Sequence, residues 1–164
     1  MSQLESMIKQ IVLEMNNGSS PSYTPGATGS YSYADYPLGE KRQDKLQTPT
    51  GKNISQVTLD AVLSGQIDAG DMRITPETLE MQAQIAESRG RGVFASNLRR
   101  AAELIAIPDE RILQMYNSLR PYQSTKQELM DMANELRTKY NAKTTAAFVE
   151  EAAQVYESRG RLKK

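Results

Sequence analysis

Between Thr75 and Arg159 the apolar residues return every three or four positions, in runs that are each closed by proline, glycine or a capping side chain. That spacing gathers apolar side chains on one stripe of a helix and does not suit a strand, whose faces alternate every second residue. Thr75 suits an N-cap, Pro76 fits the first helical position and Glu77 complements the positive helix end, which predicts a helix to about Arg89. A second is expected from about Val93 to Ile107, with Phe94, Leu98, Ala101 and Ile105 on its inner face. Pro108 restarts the chain at the first turn of a third, whose stripe is Ile112, Met115, Tyr116 and Leu119, and Pro121 stops it. Ser124 and Gln127 form a capping-box pattern for a fourth, with Leu129, Met132, Ala133, Leu136 and Tyr140 inward. The last runs from about Thr145 to Arg159 and is expected to bury Phe148, Val149, Ala152 and Tyr156. No segment alternates for long enough to demand a sheet. The expected class is all-α: an open helical bundle over residues 75–164.

Ahead of the bundle the sequence changes character twice. Residues 3–15 set Leu4, Met7, Ile8, Ile11, Val12 and Met15 on one helical stripe, with Glu5, Lys9 and Glu14 away from it. Residues 1–17 therefore read as a detached amphipathic helix, stopped by Asn16, Asn17 and Gly18. Residues 18–34 are rich in Gly, Ser, Pro and Thr and carry no charge, a composition that buries too little apolar surface to offset the entropy of ordering, so a flexible linker is expected. Residues 35–74 hold Pro37, Gly39, Pro49 and Gly51 without a sustained period, which predicts an irregular extended arm. Within it Val57, Leu59, Val62 and Leu63 suggest a short helix ending near Gly65.

Composition narrows the chemistry. The chain has neither cysteine nor histidine, which removes disulfides, thiolate nucleophiles, Cys/His zinc sites and the side chain best suited to proton transfer near neutral pH. Twenty basic residues balance twenty acidic ones, which argues against a nucleic-acid partner. The longest apolar run near the start, Ile11-Val12-Leu13, is far too short for a membrane span or signal-peptide core, so a cytoplasmic protein is expected.

Several motifs invite chemistry and are better explained by structure. Gly90-Arg91-Gly92-Val93-Phe94-Ala95 has the letters of a dinucleotide loop, but a helix rather than a strand precedes it, so a helix-to-helix turn is expected. Glu87-Ser88-Arg89-Gly90-Arg91 recurs as Glu157-Ser158-Arg159-Gly160-Arg161, each copy ending a helix with glycine as the cap. Asp60, Asp68 and Asp71 lack the alternation of a calcium loop, and Glu150 and Glu151 diverge on a helix. Met72, Met81, Met115, Met130 and Met132 either line an adaptable contact surface or fill the core. Arg120-Pro121-Tyr122 is either a subunit-contact hot spot at Arg120 and Tyr122 or a helix stop with Tyr122 packed at home. No catalytic, cofactor-binding or metal-ligating residue is expected.

The block from Arg100-Ala101-Ala102-Glu103-Leu104-Ile105 through Pro108-Asp109-Glu110-Arg111 to Ser118-Leu119-Arg120-Pro121-Tyr122 and Glu128 closely resembles the small (γ) subunit of adenosylcobalamin-dependent diol and glycerol dehydratases. The resemblance extends to Asp35-Tyr36-Pro37-Leu38, Asp71 to Leu79, Ala146 to Val149, Glu151-Ala152-Ala153 and Arg161-Leu162-Lys163, and so covers roughly residues 35–163. It implies a non-catalytic subunit of a hydro-lyase that turns 1,2-propanediol into propionaldehyde or glycerol into 3-hydroxypropionaldehyde, with cobalamin and substrate held by the large and medium subunits. It also implies a dimer of heterotrimers in the bacterial cytoplasm, with the arm embracing the large subunit. Members with an extension like residues 1–34 are packaged in a bacterial microcompartment, which makes Leu4, Ile8, Ile11 and Met15 the expected face toward a shell protein and favours the diol branch. Two departures touch subunit contacts: Lys41-Arg42-Gln43-Asp44-Lys45 stands where a Lys-His-Pro-Glu run is common, and Gln123 where an Arg is usual. A free-standing helical adaptor or nucleic-acid-binding module is the rival reading, opposed by the neutral charge.

Overall fold

A computed structural model describes residues 30–164. Seven α-helices follow one another: α1 (Leu38–Lys41), α2 (Leu59–Leu63), α3 (Pro76–Ser88), α4 (Gly92–Leu104), α5 (Asp109–Ser118), α6 (Lys126–Lys139) and α7 (Lys143–Ser158), with 3₁₀ turns at Tyr33–Asp35, Gln43–Lys45 and Ile54–Gln56. Among the described residues there is no strand, only an isolated antiparallel bridge between Gln47 and Asn53. The class is all-α, as the periodicity predicts.

Two helical hairpins carry the bundle: α3 packs along α4, α6 packs along α7, and α4 touches α7 to join them. Their cores differ in kind. The α6–α7 pair closes over Leu129, Met132, Ala133, Leu136, Ala146 and Val149, with Met115 of α5 and Ile107 at its edge. Leu129 and Leu136 are almost wholly buried, each contributing roughly 1.5–3 kcal/mol through apolar burial. The α3–α4 pair meets instead through Ala83, Ala86 and Ala95, with Leu98 beside them, a seam of small residues that lets two backbones approach closely.

The helix boundaries follow the caps. Thr75 Oγ1 accepts from the Thr78 amide and Pro76 opens α3. Gly90 and Gly160, at φ +71° and +60°, end the two helices that carry the Glu-Ser-Arg-Gly-Arg repeat, so the dinucleotide-like letters at 90–95 span the turn between two helices and the first residues of α4. Asn141, at φ +54°, lets the Ala142 amide reach back to the Leu136 carbonyl at 2.9 Å and closes the α6–α7 turn. Pro108 sits immediately before α5, one position earlier than expected. The capping box of α6 is formed by Thr125 and Glu128, not by Ser124 and Gln127, because Ser124 Oγ donates to the Ser118 carbonyl and is spent closing the preceding turn.

The inner faces hold further corrections. On α4 the expected inward residues Phe94, Ala101 and Ile105 are exposed, and the buried stripe is Ala95, Ala102 and Glu103, with Leu98 and Arg99 half-buried. Small side chains win there because α3 presents alanines, and the two charged residues are buried because each meets a partner from another helix. Tyr116 on α5 and Phe148 on α7 also point outward, and Ala152 and Tyr156 are only half-buried. Phe148 is covered in part by the Arg100 guanidinium, 4.8 Å from its ring centroid. Met81, Met115 and Met132 fill core, while Met72 and Met130 are exposed.

The arm lies over α3, and so do residues 31–34, expected as the end of the flexible linker but fixed by bonds to that helix. The Tyr31 amide donates to Gln84 Oε1 at 3.0 Å and the Tyr33 amide to Ser88 Oγ at 2.8 Å. Leu38 packs with Met81 and Ile85, flanked by Tyr31 and Leu46. The short helix suggested by Leu59, Val62 and Leu63 is present as α2, capped by Thr58.

Candidate subunit-contact surface

Two elements that the sequence leaves without a role are held by buried carboxylates. Asp71, near the end of the arm, accepts from Thr48 Oγ1 at 3.1 Å, from Thr50 Oγ1, from Lys52 Nζ at 2.7 Å and from the Asp68 amide at 3.1 Å. The Lys52 ammonium, followed by the Thr50 hydroxyl and the Asp68 amide, holds its carboxyl well below the usual carboxylate range. The cluster ties the start of the arm's turn at 48–52 to its end. Asp35, bonded to the Ser32 amide and to Arg42 Nε at 2.9 and 2.6 Å, is likewise held low, first by that amide and then by the guanidinium.

With its backbone fixed in this way, the arm turns large apolar side chains outward. Leu59 and Leu63 of α2 are 73% and 76% exposed and Met72 is 65% exposed, with Ile54, Val62 and Ile74 also open. Side chains of this size, left in water on a segment held by polar bonds, form the kind of surface that a partner covers.

A groove of about 720 Å³ opens between the arm and the α3–α4 hairpin. Leu38 and Ile85 lie at its base, and Tyr33, Tyr36 and Phe94, each about half exposed, line it together with Arg89 and Arg91. The Tyr33 and Tyr36 rings stack at 5.9 Å with 9° between planes, and the Arg89 guanidinium caps that stack 4.3 Å from the Tyr33 centroid. The basic cluster seen in sequence thus divides. Arg99 pairs with Glu80 and Glu87 and Arg100 covers Phe148, while Arg89 and Arg91 stay at the groove.

The Arg120-Pro121-Tyr122 turn lies elsewhere, between α5 and α6. Tyr122 has φ +67°, a conformation uncommon for a bulky residue, and its amide donates to the Arg161 carbonyl at 2.8 Å. The Lys163 amide donates to the Ser124 carbonyl at 2.9 Å, so the chain's last residues run beside the turn. The Tyr122 ring itself is 53% exposed, with the Arg161 guanidinium 5.5 Å from its centroid, and Arg120 is exposed. The backbone is tied at home, while the side chain stays about half exposed beside that guanidinium. Leu4, Ile8, Ile11 and Met15 lie outside the described residues.

Glu103 was missed by sequence reasoning. Its carboxylate accepts from the Thr144 and Thr145 amides at 2.9 and 2.8 Å and from Thr145 Oγ1 at 2.8 Å, capping α7 from α4. The available signal was its place four residues after Arg99 on the stripe of Ala95 and Ala102. Among the described residues no group of three side chains could hold a metal ion, and no helix is long and apolar enough to cross a membrane.

The family described as "Dehydratase small subunit" has a model that matches residues 31–163. A protein of Citrobacter freundii, "Propanediol dehydratase small subunit", is 49% identical over 164 residues, covering 98% of this chain and 95% of the relative. Its namesake in Salmonella typhimurium strain LT2 is 48% identical over 165 residues, with the same coverage of each chain.

Proposed function

The chain belongs to the dehydratase small-subunit family, and from that premise we propose that it is the small subunit of an adenosylcobalamin-dependent propanediol dehydratase, which turns 1,2-propanediol into propionaldehyde and water. The observation that carries the diol branch is the reach of the match. The family model begins at residue 31, whereas the two relatives align over 98% of the chain, so most of the N-terminal extension is matched as well. A glycerol dehydratase role draws no such support.

Its role is assembly. The exposed apolar face of the arm embraces the large subunit, Arg120 and Tyr122 supply a second contact, and the whole assembles with large and medium subunits as a dimer of heterotrimers. When bound, the corrinoid supplies radical chemistry to the enzyme. The residues of this chain do not fit its cobalt: the sequence has no imidazole or thiolate, and the groove at the arm is walled by aromatic rings and arginines. Cofactor and diol are therefore assigned to the larger subunits. Residues 1–17 act as a targeting helix that docks on a shell protein and draws the enzyme into a microcompartment.

Co-expression of the large and medium subunits with and without this chain tests the reading. Diol-dependent activity and a heterohexamer by native mass spectrometry are expected only when it is present; full activity in its absence refutes the role. For targeting, residues 1–34 fused to a fluorescent protein should form puncta in a compartment-forming cell, and Ile8→Glu with Ile11→Glu should disperse them. Diffuse fluorescence from the unaltered fusion rejects it.

A further inference from the structure

The turn between α5 and α6 puts a tyrosine where a glycine belongs. Pro121 at the second position, a φ of +67° at Tyr122 and the Gln123 amide donating to the Arg120 carbonyl at 3.2 Å are the pattern of a type II turn. The third place in such a turn favours glycine, because a Cβ crowds the backbone at positive φ. Among the described residues Asn141 is the other non-glycine with positive φ, and asparagine accepts that conformation at far less cost than a bulky side chain.

What offsets the strain comes from beyond α7. Gly160, at φ +60°, ends that helix, and the Arg161 amide donates back to the Tyr156 carbonyl at 2.8 Å. The chain then meets the α5–α6 turn. There the Arg161 carbonyl accepts from the Tyr122 amide at 2.8 Å, the Arg161 guanidinium stands 5.5 Å from the Tyr122 ring centroid, and the Lys163 amide donates to the Ser124 carbonyl at 2.9 Å. The first copy of the Glu-Ser-Arg-Gly-Arg repeat is used in a similar way: Ser88 Oγ accepts from the Tyr33 amide and Arg89 covers the Tyr33 ring. Each helix end that carries the repeat thus receives a tyrosine from a distant segment. The second hold is slight, however, since Arg161 and Lys163 are exposed and only Leu162 is half-buried, against the core of α5, α6 and α7. A segment held by a few bonds and one apolar contact opens at a free energy well below that of global unfolding.

We propose that residues 161–163 are a latch. Seated, they keep Tyr122 in the left-handed region and so fix the direction in which Arg120 and Tyr122, both exposed, project. Released, the turn relaxes to negative φ while α5, α6 and α7 stay packed. The device belongs to this chain alone and does not depend on the assembly role.

NMR spectroscopy of the full chain and of a variant ended at Gly160 tests it. Removing the tail should abolish the strong intraresidue amide–Hα NOE that positive φ gives Tyr122, and should speed exchange of the Gln123 amide about tenfold or more. The Leu129 and Leu136 amides of α6 should keep their protection. Adding Tyr122→Gly to the shortened chain should restore protection at Gln123, since glycine takes the left-handed place unaided. An intact NOE without the tail would show that Pro121 sets the turn alone and overturns the proposal. Loss of protection throughout α6 and α7 also overturns it, by making the tail part of the core, as does failure of Tyr122→Gly to restore the turn. Independently, Leu162→Ala in the full-length chain should speed exchange of the Tyr122 and Lys163 amides together, by about threefold or more. Unequal acceleration of the two, or none, refutes a single latch.

Discussion

Glu103 offers the most direct test of what joins the two hairpins. The first residue flanking α7, Ala142, has no side chain to cap with, so the Thr144 and Thr145 amides depend on a carboxylate from α4. Glu103 is 8% exposed, and a hydrogen bond to a charged group contributes about 1.5–3 kcal/mol net. Three such bonds do not add to the full sum. Thr144 is exposed and Thr145 half-buried, so water can reach both amides once the carboxylate is gone. The loss then approaches that of a strong helix cap plus a charge at the helix N-terminus, about 2–3 kcal/mol. For a chain of this size that lowers the melting temperature by roughly 4–12 °C. Urea unfolding of full-length Glu103→Ala followed by circular dichroism measures it, and amide exchange at Thr144 and Thr145 localises it. Glu103→Gln keeps one acceptor and should lose about half as much. A cost below about 0.5 kcal/mol for Glu103→Ala would refute the reasoning, since it would mean that solvent caps α7 as well as the carboxylate does.

The other expectations concern single contacts. Glu80 is almost completely buried, with Arg99 Nε and Nη2 at 3.0 and 3.1 Å, so Arg99→Ala should cost about 3–5 kcal/mol by removing the cation that faces a buried carboxylate. Glu87→Ala, on a carboxylate that is 46% exposed, should cost at most about 1 kcal/mol, and denaturant midpoints of the two variants rank them. Because the Asp71 carboxyl is held below its ordinary 3.8, its hold on the arm is complete above that pH and fades as the pH falls below it. Amide protection of Asp68 should accordingly drop between pH 5 and strongly acidic solution, and Asp71→Asn should remove that dependence. Arg120→Ala or Tyr122→Ala should weaken assembly with the large subunit by on the order of 2 kcal/mol while helicity stays constant; intact assembly with lost helix content would show a purely local packing role.

Helix class, number and approximate limits in the bundle were readable because they are local: a cap, a proline at the first turn, a glycine at the end and a stripe every three or four residues act within one helix. Which face of a helix turns inward is a different matter, since it depends on what the neighbouring helix presents. On α4 the most apolar stripe, Phe94, Leu98, Ala101 and Ile105, was the natural inner face. The fold instead buries Ala95, Ala102 and Glu103, because α3 offers a close alanine seam and carboxylates for Arg99, and α7 offers unsatisfied amides for Glu103. The same cause left the arm's polar ties illegible, although its short helix α2 could be read. Asp71 meets Thr48, Thr50 and Lys52 across about twenty residues of chain, and no period in a sequence marks a pairing of that kind. Local propensities act along the chain and can be read from it, whereas the burial of a charge or a ring is decided by partners that only the tertiary structure brings together.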